Sequence, residues 1–167
     1  MPVQSRSRAN VRVADEAWLV LARLHRRNPD ALDFSIEEIM REAQSLRING
    51  DVRPGVYVHV VQHCVANRPA NPATHRMLFE TSSGRRRLFR FGDAVHASRM
   101  KGRMTPVRED LPQGHEGVLE WYDSWSRESR SREAEDDPLL SLRGSGKHLW
   151  ADEHADEYVR RLREGWQ

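Results

Sequence analysis

Cysteine is almost missing from this chain. Cys64 is the only one among 167 residues, so neither an intramolecular disulfide nor a cysteine-based zinc site is available, and the lone thiol is expected to serve as a small buried apolar residue. Long hydrophobic runs are missing too. No stretch approaches the roughly 20 consecutive apolar residues that span a bilayer, and the first eleven residues carry Ser5, Arg6, Ser7 and Arg8 but no apolar core of the signal-peptide kind. The expectation is a cytoplasmic protein with no membrane contact. No internal repeat is evident. With 38% apolar and 31% charged residues, the chain has material for one modest core, with part of its length left solvated.

The net charge of +2 hides an uneven distribution. Between Gly84 and Arg103 lie Arg85, Arg86, Arg87, Arg90, Arg99, Lys101 and Arg103 against the single acid Asp93. Such a stretch is a candidate anion-binding surface, and the bland alternative is a solvated charged face.

Several helices are legible. Asp15 is placed to cap a first helix running to about Arg27, with Ala17, Trp18, Leu21, Leu24 and His25 at helical spacing before Asn28 and Pro29. Ser35 and Glu38 have the capping-box spacing of a second helix, with Phe34 and Ile39 as its hydrophobic staple and Ile36, Ile39, Met40 and Ala43 as its inward face. Pro54 suits the first turn of a third helix, since its missing amide breaks no intrahelical bond there. Val56, Val60, Val61 and Cys64 would face inward from that helix, and a strand over 56–61 is the competing reading.

Met77 and Phe79, then Phe89 and Phe91, alternate around Thr81, Ser82, Ser83 and Gly84, which reads as a hairpin burying one face. Three helices followed by a hairpin give an α+β, mostly helical fold in the order of a winged helix, with a C-terminal helical extension. The expected organisation is an N-terminal disordered arm over 1–12, a DNA-binding domain over 13–95 and an extension over 96–126 with a helix from about His115 to Trp125. A flexible linker or solvated helical extension follows over 127–137, then a partner-binding tail over 138–167 ending in a helix from about Asp152 to Glu164.

In a winged helix the third helix enters the major groove and the hairpin tip meets the backbone or minor groove. The DNA-contacting candidates are therefore Arg53, Tyr57, His59, Gln62 and His63 around the third helix, and Arg85, Arg86 and Arg87 on the wing. A protein-interaction domain on the same fold is the alternative. In the tail, Leu139, Leu140, Leu142, Trp150, Tyr158, Val159, Leu162 and Trp166 suit coupled folding along a partner's groove, and Arg160 and Arg161 complement an acidic cleft. The competing reading folds the last helix back onto the first domain.

Catalysis is not expected, and no cofactor or metal is implied. His148, Asp152, Glu153, His154 and Asp156 alternate around a helix rather than converge. His59 and His63 lack the glutamate of H-E-x-x-H, and Gly144-Ser145-Gly146-Lys147 is too short for a phosphate-binding loop.

Two resemblances add to this. Glu16-Ala-Trp-Leu-Val-Leu-Ala-Arg-Leu, Phe34-Ser-Ile-Glu-Glu-Ile, His59-Val-Val-Gln-His-Cys-Val-Ala-Asn and the segment 96–110 resemble a small family of bacterial winged-helix domains over roughly residues 13–126. Asp137-Pro-Leu-Leu-Ser-Leu, Gly144, Gly146, Leu149-Trp150-Ala-Asp152 and Glu157-Tyr-Val-Arg-Arg-Leu-Arg-Glu-Gly165 resemble the tail of type II antitoxins that neutralise PIN-domain ribonucleases. The attached module is larger than such antitoxins usually carry. The resemblances imply an antitoxin whose partners are double-stranded DNA and a PIN-domain ribonuclease toxin. The alternative is a transcription factor or adaptor whose tail serves oligomerisation. A homodimer is compatible with both.

Overall fold

The computed structural model describes residues 11–136 together with Leu142, Arg160, Arg161, Arg163 and Glu164. The chain divides into two compact units, Met1–Ser126 and Arg127–Gln167. The fold is α+β. Its order is α1 (Val13–Arg27), β1 (Phe34–Ser35), α2 (Ile36–Leu46), α3 (Pro54–Val58), a π-helical turn (His59–His63), β2 (Leu78–Ser82), β3 (Arg85–Leu88) and α4 (Val118–Asp136), with 3-10 turns at Ala97–Arg99 and Arg108–Asp110. The three strands form an antiparallel sheet in the order β1-β3-β2.

The first unit is built around α1. Every residue from Ala14 to Ala22 is buried, so this stretch is covered on all sides rather than along one stripe. Burying it whole submerges two acids, and each has found an arginine: Asp15 accepts from Arg103 at 2.7 Å, and Glu16 accepts from Arg53. Asp15 is therefore not the cap expected of it. The helix begins two residues earlier with Arg12 at the cap position, and burial pushes the Asp15 carboxyl above its usual range despite the Arg103 charge. Nor does the expected arm reach residue 12, because Val11 already lies in the core.

The capping box at α2 forms as read. The Ser35 hydroxyl accepts from the Glu38 amide at 3.2 Å and the Glu38 carboxylate accepts from the Ser35 amide at 2.7 Å, which holds that carboxyl below its usual range. The staple residues Phe34 and Ile39 both enter the core. Phe34 and Ser35 also form β1, a strand that two residues could not announce by periodicity.

The third helix is helical where a strand competed, but it is not uniform. After Val58 it widens into the π-helical turn, in which the Cys64 amide donates five residues back to the His59 carbonyl at 3.0 Å. Val56, Val60 and Cys64 face inward as expected, and Val61 is only partly covered. Burial drives the Cys64 thiol up to about 12, so it stays protonated and inert.

The hairpin is present with a different face inward. Gly84, at a φ of 75°, makes the turn between strands that pair Leu78 with Leu88 and Glu80 with Arg86, with an irregularity between Glu80 and Ser82. Met77 and Phe89 are buried, as are Leu78 and Leu88, but Phe79 is half-covered beneath the Arg87 guanidinium and Phe91 is 76% exposed. Phe91 lies beyond the end of β3, where the alternation no longer applies.

Beyond the sheet, Gly102 lies against the loop 73–75 so closely that a Cβ there would fall 1.8 Å from the Thr74 carbonyl oxygen. The last helix starts at Val118, later than expected. Its Tyr122 donates to the Phe89 carbonyl and packs edge-on against Trp18 at 5.4 Å. It also continues to Asp136, so of the two readings for 127–137 the helical extension is the one observed up to that residue.

His25 contributes a pH dependence. Its ring lies between Phe34 and Trp125, at 4.9 Å and 4.6 Å, and its Nε2 accepts from the Leu88 amide at 3.4 Å. Burial, then the positive charges of Arg87 and Arg90, lowers its pKa to about 3. Because the folded value lies below the unfolded one of about 6.5, the unfolded chain gains a proton that the folded chain refuses. Its contribution is full above that unfolded pKa and declines by about 1.4 kcal/mol per pH unit as pH falls towards the folded value. Urea unfolding between pH 7 and 4 should therefore show a steeper loss for the wild type than for His25→Gln. Parallel curves would mean that the folded core accepts the proton.

Candidate functional site

The arginine run was the main basis for an anion-binding surface, and most of it points into the molecule. Strand alternation places Arg86 on the same face as Leu88, and its side chain is only 1% exposed. Its guanidinium donates to the carbonyls of Val60 at 3.1 Å and Val61 at 3.3 Å and to Glu80 at 3.0 Å, joining the sheet to the π-helical turn. Burial lowers its pKa, with the Glu80 charge acting the other way. Glu80 is in turn gripped by Arg68 through two 2.7 Å bonds, which hold the carboxylate ionised.

Arg87 is buried as well, in a bidentate pair with Asp93 at 2.6 and 2.8 Å and 4.4 Å from the Phe79 ring centroid. Arg86 and Arg87 thus cannot meet DNA phosphates from these positions. Arg85 alone of the three stays at the surface, 44% exposed and bonded to Asp33 at 2.6 Å.

Arg99 is the most enclosed of the run. Among the described residues it has no carboxylate partner. Its five guanidinium N–H groups are instead shared among six backbone carbonyls, those of Gln62, His63, Arg68, Pro69, Ala73 and His75, at 2.6 to 3.1 Å, with three of them around Nη1. One side chain thereby fixes the whole loop that leaves the π-helical turn, and desolvation lowers its pKa.

Around the third helix, Tyr57 is 52% exposed and available to a partner. His59 is partly covered, its Nδ1 lies 2.9 Å from the Gly55 carbonyl, and desolvation lowers its pKa. The Gln62 amide donates to the Pro69 carbonyl at 3.0 Å, and His63 meets the His59 ring at 4.9 Å. Arg53 is committed to Glu16 and to the Val11 carbonyl at 2.7 Å. Of the eight expected DNA contacts, Tyr57 and Arg85 are exposed, His59, Gln62 and His63 are partly covered, and Arg53, Arg86 and Arg87 are committed to internal partners.

Among the tail candidates, Leu142, Arg160 and Arg161 are described and exposed, the two arginines in helical conformation. Leu139, Leu140, Trp150, Tyr158, Val159, Leu162 and Trp166 lie outside the described residues, as do His148, Asp152, Glu153, His154 and Asp156. Among the described residues no group of three or more His, Cys, Asp or Glu could hold a metal ion, and no helix is long and apolar enough to cross a membrane.

The sequence reading missed a second basic cluster. Arg23, Arg26 and Arg27 follow Leu19 along one face of α1 and, with Gly114, His115 and Val118, line an open cleft of about 390 Å³. Their spacing was legible, but the far wall comes from a loop some ninety residues later. Compared with known proteins, the chain matches no family model, no curated protein and no solved structure.

Proposed function

We propose that this chain is an antitoxin-type regulator: a winged-helix unit that binds double-stranded DNA, and a tail over 138–167 that inhibits a PIN-domain ribonuclease. The observation that carries the reading is the connectivity α1-β1-α2-α3-β2-β3 with strand order β1-β3-β2, the arrangement in which winged helices present their third helix and hairpin to DNA. Among the described residues, the core cluster is drawn from residues 11–125. The antitoxin half rests on the likeness of 137–165 to antitoxin tails and on the apolar and aromatic side chains placed there.

In this reading Tyr57 and His63 face the groove and Arg85 meets the backbone. A duplex titration across salt concentrations tests it. Arg85→Ala should lower the slope of log affinity against log salt by about 0.9, the value for one phosphate contact. Tyr57→Ala should weaken specific binding more than random binding.

One observation favours a second reading, a winged-helix adaptor that binds protein through the same face: residues 54–63 contain no arginine or lysine. An unchanged salt slope in Arg85→Ala together with unchanged affinity in Tyr57→Ala would favour the adaptor.

A further inference from the structure

We infer that the cleft between α1 and the loop before α4 is a binding site for a small phosphomonoester with a compact apolar body. The cleft lies apart from the proposed DNA-facing residues, none of which lines it, and the inference does not depend on the DNA or toxin readings.

Three features of the lining define the ligand. First, it presents three guanidinium groups and no carboxylate. Two of them are held in place from behind: Glu42, almost fully buried, pairs with Arg23 at 2.8 Å and with Arg27 at 3.4 Å. Arg26 is positioned differently, its guanidinium 5.9 Å from the Trp121 ring centroid. Glu116, in the same loop, accepts from the Gly114 amide at 3.0 Å.

With Glu42 counted, two positive charges remain from Arg23, Arg26 and Arg27. That balances a phosphomonoester, which carries about −1.5 to −2 at neutral pH, better than a monocarboxylate. Guanidinium forks also match the oxygens of phosphate in pairs.

Second, the volume of about 390 Å³ exceeds what a bare phosphate fills and falls within the roughly 300 to 1,000 Å³ range of small-molecule sites. Third, the charged side is opposed by an apolar one: Leu19 and Val118 line the same cleft. His115 lines the same wall, and its Nδ1 is buried with no hydrogen-bond partner among the described residues.

Calorimetric titration of the full chain with phenyl phosphate at about 0.1 M salt tests the inference. One-to-one saturable binding is expected. Benzoate should bind about tenfold more weakly or worse, and Arg23→Gln with Arg26→Gln should weaken phenyl phosphate at least about tenfold. Lys101→Gln, an exposed cation outside the cleft, should change nothing.

If the double variant lacks a cooperative melt, Arg26→Gln alone, at an exposed position, carries the comparison. The inference is overturned by absence of saturable binding up to about 10 mM, by benzoate matching phenyl phosphate, or by Lys101→Gln weakening binding as much as the cleft variants. A short DNA duplex that displaces phenyl phosphate from the wild type would assign the cleft to nucleic-acid backbone and overturn the small-ligand assignment.

Discussion

Arg99→Met should destabilise the first unit by about 4 kcal/mol or more, since a buried carbonyl left without a donor costs on the order of 1 to 3 kcal/mol and those of His63, Arg68, Ala73 and His75 lose theirs together, while the Gln62 and Pro69 carbonyls keep the Val65 and Gln62 amides. For a unit of this size that is a fall of roughly 12 °C in the thermal midpoint. No opposite charge is stranded by the change, so the loss reflects the carbonyls and the loop they belong to.

Arg99→Lys separates hydrogen bonding from charge. The ammonium keeps the charge but offers three donors on one atom, which cannot reach carbonyls distributed around a planar fork. It should therefore still lose about 2 kcal/mol. Chemical denaturation of both variants beside the wild type is the measurement. A lysine variant of wild-type stability would show that charge alone holds the loop 62–75.

If the proposed function holds, removal of residues 137–167 should abolish inhibition of the ribonuclease proposed as partner while leaving the thermal midpoint and duplex affinity of the remainder within experimental error. The ground for the second half is that, among the described residues, the core cluster draws on Val11, α1, α2, the third helix, the sheet and the start of α4, down to Trp125, and that the unit boundary falls at Ser126. Within the tail, Trp150, Tyr158 and Leu162 should act as anchors, each weakening the complex by on the order of 2 kcal/mol when cut to alanine. Differential scanning calorimetry of the truncated and full chains without partner is decisive. A drop of many degrees would mean that the tail completes the core, and the antitoxin reading would lose its physical support.

The elements were largely readable from the chain because their signals are local. The Ser35–Glu38 box, the proline opening α3 and the glycine turning the hairpin each act within a few residues, and each formed. What failed was orientation. Arg85, Arg86 and Arg87 looked equivalent on a wing. Which of them stays outside depends on the pleat and on acids brought from elsewhere, Asp33, Glu80 and Asp93.

Arg99 was less readable still, since its partners are main-chain carbonyls, which every residue has and no side-chain pattern marks. The π-helical turn had a similar cause: Val56, Val60 and Cys64 fit ordinary helical spacing, and only the geometry of the chain after His59 shows the wider turn. The cleft beside α1 was half legible, in the spacing of 23, 26 and 27, and needed the loop at 114–118 to become a site.

The complete enclosure of α1 from Ala14 to Ala22 also determines how this unit opens. An amide there has no path to solvent by fraying or by the swing of a neighbouring loop, because α2, the third helix and the sheet all rest on the same helix. Exchange of the seven hydrogen-bonded amides from Glu16 to Ala22 with deuterated water must wait for the whole unit to come apart, so they report the global unfolding free energy. The hairpin turn at Ser83–Gly84 belongs to the opposite end of that scale, where opening leaves the core untouched.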